Sequence, residues 1–342
     1  MHGRLLITGI RGSGPGDPVF ESDLEECAAA EVGGVILFDV DVPLMRNDDP
    51  LSAPRNVVDE TQLRELIACV RERLGERTWI SIDQEGGQVA RLNPRRGFAA
   101  DPSAVAFVAM QPAERARAAG RLVDRLSDLG FDLNFAPCVD LALDPANPVI
   151  AGCDRSFGAN VADVVGAATA QLDAHVESGV AACLKHFPGH GSSGGDTHHG
   201  VVDVTGTWKD EELEPYRRLI HRKGLAVMVA HVMHREMDAE LPASLSPRVI
   251  DGFLRGQMNF DGVVITDSID MRAVADAWPP EEAAVMAVRA GADLVIDGFN
   301  LAPRREHPAR TIVSALRGAI DTARLDLSLE RMDRLRSEIG RS

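Results

Sequence analysis

The chain has 342 residues, a length that suits one large α/β barrel and also leaves room for two average domains. With 45% hydrophobic and 26% charged residues, its composition is that of a globular protein and excludes a mostly disordered chain. The net charge of −16 disfavours phosphate backbones and anionic lipid surfaces, so neither nucleic acid nor a membrane is expected as a partner.

The cysteines and the first residues bear on cellular location. The five cysteines are widely spread and include no Cys-x-x-Cys pair, which indicates reduced thiols and argues against a disulfide framework or a zinc ribbon. The first apolar run is too short for a secretory signal, and no run reaches the roughly 18 residues that span a bilayer. We therefore expect a cytoplasmic protein that is a monomer or a weak dimer.

Short aliphatic runs recur along the chain, and longer helical patterns separate them. Runs without clean polar alternation are typical of strands that are buried on both faces of a parallel sheet. Eight strands are predicted, over Leu5–Thr8, Gly34–Phe38, Trp79–Asp83, Asp132–Pro137, Ala181–His186, Leu225–His231, Gly262–Asp267 and Ala292–Ile296. Helices are predicted over Thr61–Leu74, Pro112–Leu129, Val161–Ser178, Glu211–Lys223, Ser246–Gln257, Pro280–Ala290 and Arg310–Leu325. This alternation predicts an α/β fold, a (β/α)8 TIM-type barrel that forms a single domain over residues 1–342.

One long segment follows the second predicted strand. Asp39–Asp59 is rich in proline and aspartate, which predicts a loop insertion with little regular structure. Its position after a strand places it at the rim of a barrel site, so we expect it to border the side that binds the leaving group. A disordered insertion far from the site is the alternative.

Polar side chains stand at the carboxyl ends of the predicted strands. Asp83 ends the third strand, Lys185 and His186 the fifth, His231 the sixth and Asp267 the seventh. In a (β/α)8 barrel these ends face one rim, where catalytic groups are built. A carboxylate placed there by a rigid strand suits a nucleophile or a general base. The alternative for Asp267 is an aspartate that caps the following helix.

The stretch Lys185–His199 (KHFPGHGSSGGDTHH) holds four of the ten histidines. A metal site is one interpretation, although a glycine-rich loop is a poor cage. Its ligands would be His186, His190, Asp196, His198 and His199. The second interpretation pairs Asp196 with His198, so that the carboxylate orients the imidazole and raises its pKa for acid/base work. A solvated loop with incidental histidines is the third.

Further candidates for substrate binding lie on the same rim. Asp83 and Arg91 flank a Gly-Gly turn, whose glycines let the backbone approach a ligand while the acid accepts hydrogen bonds from sugar hydroxyls. Arg155 and Lys185 suit an anionic or hydroxyl-rich substrate, and buried ion pairs with neighbouring acids explain them equally well.

With these residues the sequence resembles glycoside hydrolase family 3, and within it the single-domain bacterial β-N-acetylglucosaminidases. The motifs stand in family order over about Leu5 to Asp297: IDQEGG with Arg91, NFAPCVD, NPVI followed by RSFG, KHFPGHG, and FDGVVITD with Met271. The most specific of them is KHFPGHG followed five residues later by Asp-x-His.

The resemblance implies a role for each candidate residue. Asp267 matches the aspartate that attacks the anomeric carbon and forms a glycosyl-enzyme intermediate. His198 matches the general acid and base, and Asp196 matches its carboxylate partner. The residues that match positions holding the terminal N-acetylglucosamine are Asp83, Arg91, Arg155, Lys185 and His186. The reaction implied is a retaining, exo-acting hydrolysis of β-linked N-acetylglucosamine from muropeptide fragments, a small carbohydrate substrate, with no metal or other cofactor.

Other functions use the same residues. A β-glucosidase, or a phosphorylase in which phosphate replaces water, would share the fold, whereas a metal-dependent hydrolase or a catalytically silent sugar-binding barrel belongs to another class.

Three departures from the family pattern bear on the site. Ser268 stands where many relatives have a second aspartate, Thr197 replaces a serine, and Asp39–Asp59 is longer than the corresponding turn.

Overall fold

A computed structural model describes residues 1–301, 303 and 306–341 of the chain. Its strands are β1 (Leu6–Gly9), β2 (Gly34–Leu37), β3 (Trp79–Ile82), β4 (Gln84–Gly86), β5 (Val89–Ala90), β6 (Leu133–Asn134), β7 (Ala181–Phe187), β8 (Leu225–Val229), β9 (Val263–Ser268) and β10 (Leu294–Asp297). Strands β4 and β5 form an antiparallel hairpin, and the other eight close a parallel barrel in chain order, with β10 beside β1. The predicted (β/α)8 barrel is confirmed.

Helices surround the barrel and turn an apolar stripe towards it. The α-helices are α1 (Pro18–Ala30), α2 (Glu60–Leu74), α3 (Ala104–Ala109), α4 (Pro112–Leu129), α5 (Val161–Glu177), α6 (Glu214–Leu219), α7 (Arg272–Ala275), α8 (Pro280–Ala290), α9 (Ala309–Ala319) and α10 (Thr322–Glu338). In α2 the side chains of Leu63, Leu66, Ile67 and Val70 are buried, the spacing expected of one helix face. No helix among the described residues is long and apolar enough to cross a membrane.

Several predicted helices differ from the observed ones. The prediction of one helix over Arg310–Leu325 is wrong, because the chain leaves the helix after α9 and starts α10 with a new cap. The Asp321 carboxylate accepts the backbone N–H of Arg324 at 2.8 Å, which fixes that new start. The helix expected over Ser246–Gln257 is a π-helix over Arg248–Gln257.

The region predicted as a helix over Glu211–Lys223 is shorter and irregular. A 3₁₀ turn spans Asp210–Leu213, and only α6 is α-helical. Helix α1 was absent from the predicted set, although Asp17 caps it by accepting the N–H of Val19 and Pro18 stands at its first position.

The Asp39–Asp59 segment leaves the barrel and returns to it at one place. Val40 and Pro54 form an isolated bridge, and the tip carries two short 3₁₀ turns, over Val42–Leu44 and Pro50–Ser52. Beyond the bridge the guanidinium of Arg55, fully buried, donates to the Phe299 carbonyl at 2.9 Å and to three further oxygens. The base of the segment is therefore fixed to the barrel, and its tip holds more local structure than predicted.

Candidate active site

A cavity of about 430 Å³ opens at the carboxyl ends of the barrel strands, where barrel enzymes carry their catalytic groups. All but one of the candidate residues line it: Asp83, Arg91, Arg155, Lys185, His186, His198 and Asp267. The remaining candidate, Asp196, lies behind His198 and contacts its ring. The structure thus brings together residues that are spread over most of the sequence.

Asp267 lies near the end of β9, where the strand sets its position. Its Oδ1 accepts the backbone N–H of Ser268 at 2.8 Å, and α7 begins only after the cap residue Met271, so Asp267 does not cap that helix. Burial works to raise the pKa of Asp267, but the nearby imidazoles, His231 foremost, together bring this pKa below its ordinary value. The carboxylate is therefore ionised at neutral pH, the form that a nucleophile requires.

Ser268 adopts a structural role beside Asp267. Its hydroxyl donates to Asp270 Oδ1 at 2.6 Å and accepts the N–H of Gly298 at 2.7 Å. Its carbonyl accepts a hydrogen bond from His231 Nε2 at 2.8 Å. The residue after Asp267 thus carries a hydroxyl, and the next carboxylate along the chain is that of Asp270, two residues after Ser268.

Four of the charged groups around the cavity form a buried cluster. Lys185 Nζ lies 2.8 Å from Asp83 Oδ1 and 2.7 Å from Glu85 Oε1. Arg155 binds both Glu85 oxygens, at 2.7 and 2.9 Å, and Arg91 approaches Asp83 more loosely, at 3.5 Å. We call Asp83, Glu85, Arg155 and Lys185 the charge cluster. Asp83, Arg155 and Lys185 line the cavity and are also ion-paired, so both interpretations of Arg155 and Lys185 apply.

Glu85 is the member of the charge cluster that sequence reasoning missed. Burial works to raise its pKa, but the charges of Arg155 and Lys185 hold this pKa far below the ordinary range. Burial works to lower the pKa of Lys185, but the charges of Asp83 and Glu85 raise it above the ordinary value. Asp83 and Glu85 are two residues apart in extended backbone, so alternation could have indicated that they share a face.

His186 is oriented by Asp140, a second residue without a predicted role. The ring Nδ1 donates to Asp140 Oδ2 at 2.6 Å, which leaves Nε2 to accept from the Arg155 guanidinium at 3.3 Å. Asp140 Oδ1 also accepts the backbone N–H of His190 at 2.9 Å. One buried carboxylate therefore fixes both the imidazole and the start of the loop after β7.

The loop histidines are not gathered into a metal site. Among the described residues, the one set of three possible ligands with mutually close donor atoms is Cys138, Asp140 and His186. His190 Nδ1 is instead hydrogen-bonded to Ser193 Oγ at 2.5 Å, and the His199 side chain is 82% exposed. Burial also raises the pKa of the Cys138 thiol, which disfavours the thiolate that metals bind.

Asp196 and His198 form a close pair on the loop that joins β7 to the Asp210–Leu213 turn. Asp196 Oδ1 accepts both the backbone N–H of His198, at 2.8 Å, and its ring Nδ1–H, at 2.7 Å. Burial works to lower the pKa of His198, but its hydrogen bond to Asp196 and the charge of Asp267 raise this pKa above the ordinary value. The same contact lowers the pKa of Asp196 to about 2, against the effect of its burial.

The tip of this loop is tied to the segment after Asp267. The N–H of Ala273, in α7, donates to the carbonyl of Thr197 at 3.1 Å. His198 lines the cavity, and its Nε2 makes no hydrogen bond to any described residue. The pair therefore presents a protonatable nitrogen near an ionised carboxylate.

Comparison with known protein families and sequences is consistent with this geometry. Residues 20–335 match the glycosyl hydrolase family 3 N-terminal domain. The chain is 36% identical over 247 residues to a beta-hexosaminidase of Glaesserella parasuis, covering 71% of each chain. It is 33% identical over 291 residues to a beta-hexosaminidase of Haemophilus influenzae, covering 82% of this chain and 76% of the relative.

Solved structures agree with the sequence relatives. A family 3 beta-N-acetylglucosaminidase from Paenibacillus superimposes with a TM-score of 0.84 at 33% identity, covering 99% of this chain and 62% of that one. A beta-N-acetylhexosaminidase from Beutenbergia cavernae does so with a TM-score of 0.81 at 28% identity, covering 99% and 97%. The family match over nearly the whole barrel and these similarities show that the chain is a glycoside hydrolase and belongs to glycosyl hydrolase family 3.

Proposed function

We propose that the protein is a β-N-acetylhexosaminidase that releases terminal β-linked N-acetylglucosamine with retention of configuration. The observation that carries the proposal is the meeting of ionised Asp267 and the Asp196–His198 pair at one cavity. Burial is the largest influence on the pKa of each residue. The charges of Asp267 and His198 also shift one another's pKa, which reflects how near the two side chains are. The names of the relatives and the structural neighbours support the activity.

In the first step Asp267 attacks the anomeric carbon as the bond to the leaving oxygen breaks. Protonated His198 donates its Nε2 proton to that oxygen, and its Nδ1–H remains bound to Asp196. The raised pKa of His198, which Asp196 supports against burial, keeps this proton available near neutral pH. The products of the step are the free leaving group and a glycosyl ester of Asp267.

In the second step water attacks the same carbon and Asp267 leaves as a carboxylate. Neutral His198 accepts the proton of the water through Nε2 and so regains the form in which it started. Two inversions at one carbon give overall retention. Phosphate as the acceptor would use the same ester intermediate and would give a sugar phosphate in place of the free sugar.

The terminal sugar is proposed to bind against the charge cluster. Asp83 and Arg155 offer a carboxylate and a guanidinium to sugar hydroxyls, and Lys185, His186 and Arg91 complete this wall. Side chains from the interior of the barrel close the deep end of the cavity: Ile36, Phe135, Met228 and Ile296. A cavity closed at one end admits a chain terminus and not an internal unit, which supports an exo-acting enzyme.

We further propose that the leaving group is a muropeptide fragment and that the reaction belongs to cell-wall recycling in the cytoplasm. Among the described residues that line the cavity, Arg95 is the one arginine or lysine without a carboxylate partner, which suits an anionic leaving group. Val42 and Met45 of the long loop line the same cavity. All five cysteines are free, as suits a reducing compartment.

The direct test compares nitrophenyl N-acetylglucosaminide with nitrophenyl glucoside, with and without phosphate and in excess EDTA. We expect hydrolysis of the acetamido sugar that survives EDTA. A preference for glucoside, a sugar phosphate as product, or loss with EDTA would each favour one of the alternative functions.

The nucleophile has its own test. A 2-fluoro sugar should label Asp267, and Asp267→Ala should lose activity by about 10³-fold or more because no other group replaces the attacking carboxylate. Asp276→Ala, at an exposed acid on the same segment, is the matched control and should retain the wild-type rate. Mass spectrometry that finds the label on another residue would remove Asp267 from the mechanism.

A further inference from the structure

The loop that carries Asp196 and His198 is held at its base from two sides. On one side, Asp140 accepts the N–H of His190, and the Asn147 side-chain amide donates to the His190 carbonyl at 2.8 Å. On the other side lies Glu212, in the 3₁₀ turn Asp210–Leu213 at the far end of the loop. The two ends of the loop thus meet at one buried carboxyl group.

Glu212 contacts three residues of the loop base, Gly189, Gly191 and Ser192. Its Oε2 accepts the backbone N–H of Gly191 at 2.9 Å, and its Oε1 accepts the hydroxyl of Ser192. Gly189 packs directly on it, since a Cβ at that glycine, whose φ is +128°, would lie 2.6 Å from the Glu212 Cβ. Only glycine permits this approach, so the backbone of the loop base and the carboxyl side chain fit closely.

The charge environment of Glu212 is unusual for so buried an acid. The residue is 1% exposed, and it forms no ion pair with a described residue. Burial raises the pKa of Glu212 to about 7, and the charge of Asp140 works in the same direction. Burying a carboxyl group without an ion pair costs free energy of folding. An apolar side chain would avoid that cost, but it could not form the hydrogen bonds that Glu212 makes to the loop.

We propose that Glu212 is a positioning residue that fixes the base of this loop and thereby sets His198 against Asp267 and the leaving oxygen. Glu212 acts through the loop backbone and does not touch the substrate. The inference rests on the proposed function, because it needs His198 to be the acid/base. A displacement of about 1 Å at a reacting group can lower a rate by about 10²-fold, so the hydrogen bonds at the base bear directly on catalysis.

The experiment compares Glu212→Ala on two N-acetylglucosaminides, one with a dinitrophenyl group and one with an alkyl leaving group. We expect kcat/KM for the alkyl substrate to fall about 10- to 100-fold, and that for the dinitrophenyl substrate, which needs no proton, to change by less than about threefold. Glu212→Gln should restore most of the activity, since its amide can accept from Gly191 and donate to Ser192. Glu211→Ala, at the exposed neighbour, is the matched control and should behave as wild type.

A double-variant cycle with His198→Ala separates positioning from general stabilisation. If Glu212 acts through His198, adding Glu212→Ala to His198→Ala should cost little more on the alkyl substrate. Equal losses on both substrates, or full additivity in the cycle, overturn the positioning role. Should Glu212→Ala not fold, Ser192→Ala removes one contact of the same carboxyl and should show a smaller loss with the same selectivity, and an unselective loss counts against the proposal.

The outcome for His198→Ala alone shows which inference fails. If that variant loses both substrates equally, the acid/base assignment in the proposed function is wrong. If it shows the expected selectivity while Glu212→Ala does not, only the positioning role is wrong.

Discussion

The charge cluster and the Asp196–His198 pair both supply side chains to one cavity, yet they differ in how they are held. In the cluster the side chains of Lys185 and Arg155 are 3% and 10% exposed, and each is bound to one or two carboxylates. The His198 side chain is 44% exposed, sits on a loop and has one carboxylate partner. Groups proposed to bind the sugar are thus fixed, whereas the group proposed to move protons is accessible.

The difference follows from what each region has to do. A binding wall gains from side chains that are already ordered, because no freedom is then lost when the sugar arrives. A general acid must exchange its proton with a leaving group and with water, which a buried, fully paired imidazole cannot do. Breaking the charge cluster should therefore affect stability and all substrates. Breaking the pair should lower kcat/KM, which reports the first step, only for substrates whose leaving group needs protonation.

Within this comparison of the two regions, the largest expected effect is that of His198→Ala on a poor leaving group. We expect kcat/KM for an alkyl or disaccharide substrate to fall by about 10²–10⁴-fold, with little loss of the glycosylation rate for a dinitrophenyl substrate. Stability should be almost unchanged, since the side chain is half exposed. Measured thermal unfolding and a series of leaving groups test both statements, and equal losses across the series would show that His198 is not the acid.

The second prediction concerns the charge cluster. Glu85→Ala leaves Arg155 and Lys185 without their shared acid in a buried site, so we expect a loss of about 3–5 kcal/mol in the free energy of unfolding. Activity should fall on good and poor leaving groups alike. Glu60→Ala, which breaks the exposed Glu60–Arg64 pair, is the control and should cost about 1 kcal/mol or less. A Glu85→Ala protein as stable as the control would mean that the cluster is not the rigid region described above.

The third prediction is a shift of the pH profile. The first step needs ionised Asp267 and protonated His198, so activity on a poor leaving group should fall at low pH through Asp267 and at high pH through His198. Burial lowers the pKa of His198 and the Asp196 contact raises it, so Asp196→Asn should move the basic limb to lower pH. Asn cannot offset the imidazolium charge. A basic limb that stays in place would separate Asp196 from the titration of His198.

The smallest effect is expected at the long loop. Replacing residues 42–52 with a short glycine-serine turn should leave kcat/KM on a nitrophenyl substrate within about twofold, since that substrate does not reach beyond the first sugar. The same change should alter kcat/KM on a muropeptide fragment. If the two substrates respond alike, the loop contributes stability and not selectivity.

The barrel could be predicted because its signal is repeated. Each strand is a short aliphatic run, and an error in one element leaves the alternation intact. The missed helix α1 also carried local signals, with Asp17 and Pro18 at its start and buried Phe20, Leu24 and Cys27 at helical spacing. The break between α9 and α10 was harder, because the amphipathic pattern continues across it.

The ion pairs and hydrogen bonds between side chains of the site could not be predicted from the sequence. Lys185 meets Asp83 across 102 positions, and Arg155 meets Glu85 across 70, and no local pattern encodes such contacts. The residue types, and their positions at the carboxyl ends of the strands, indicated which side chains lie close together. The family resemblance indicated their candidate roles. Only the structure shows which acid pairs with which base, and that Asp140 orients His186.

The closed neck of the long loop has a consequence for how this enzyme can change. The Asp41 N–H donates to the Ala53 carbonyl at 2.9 Å beside the Val40–Pro54 bridge, so residues 41–53 start and finish at one point. Doubling the length of such a loop adds only about 0.6 kcal/mol of closure entropy. Evolution or a protein engineer can therefore exchange this segment for one of another length or sequence while the barrel beneath it keeps its own sequence.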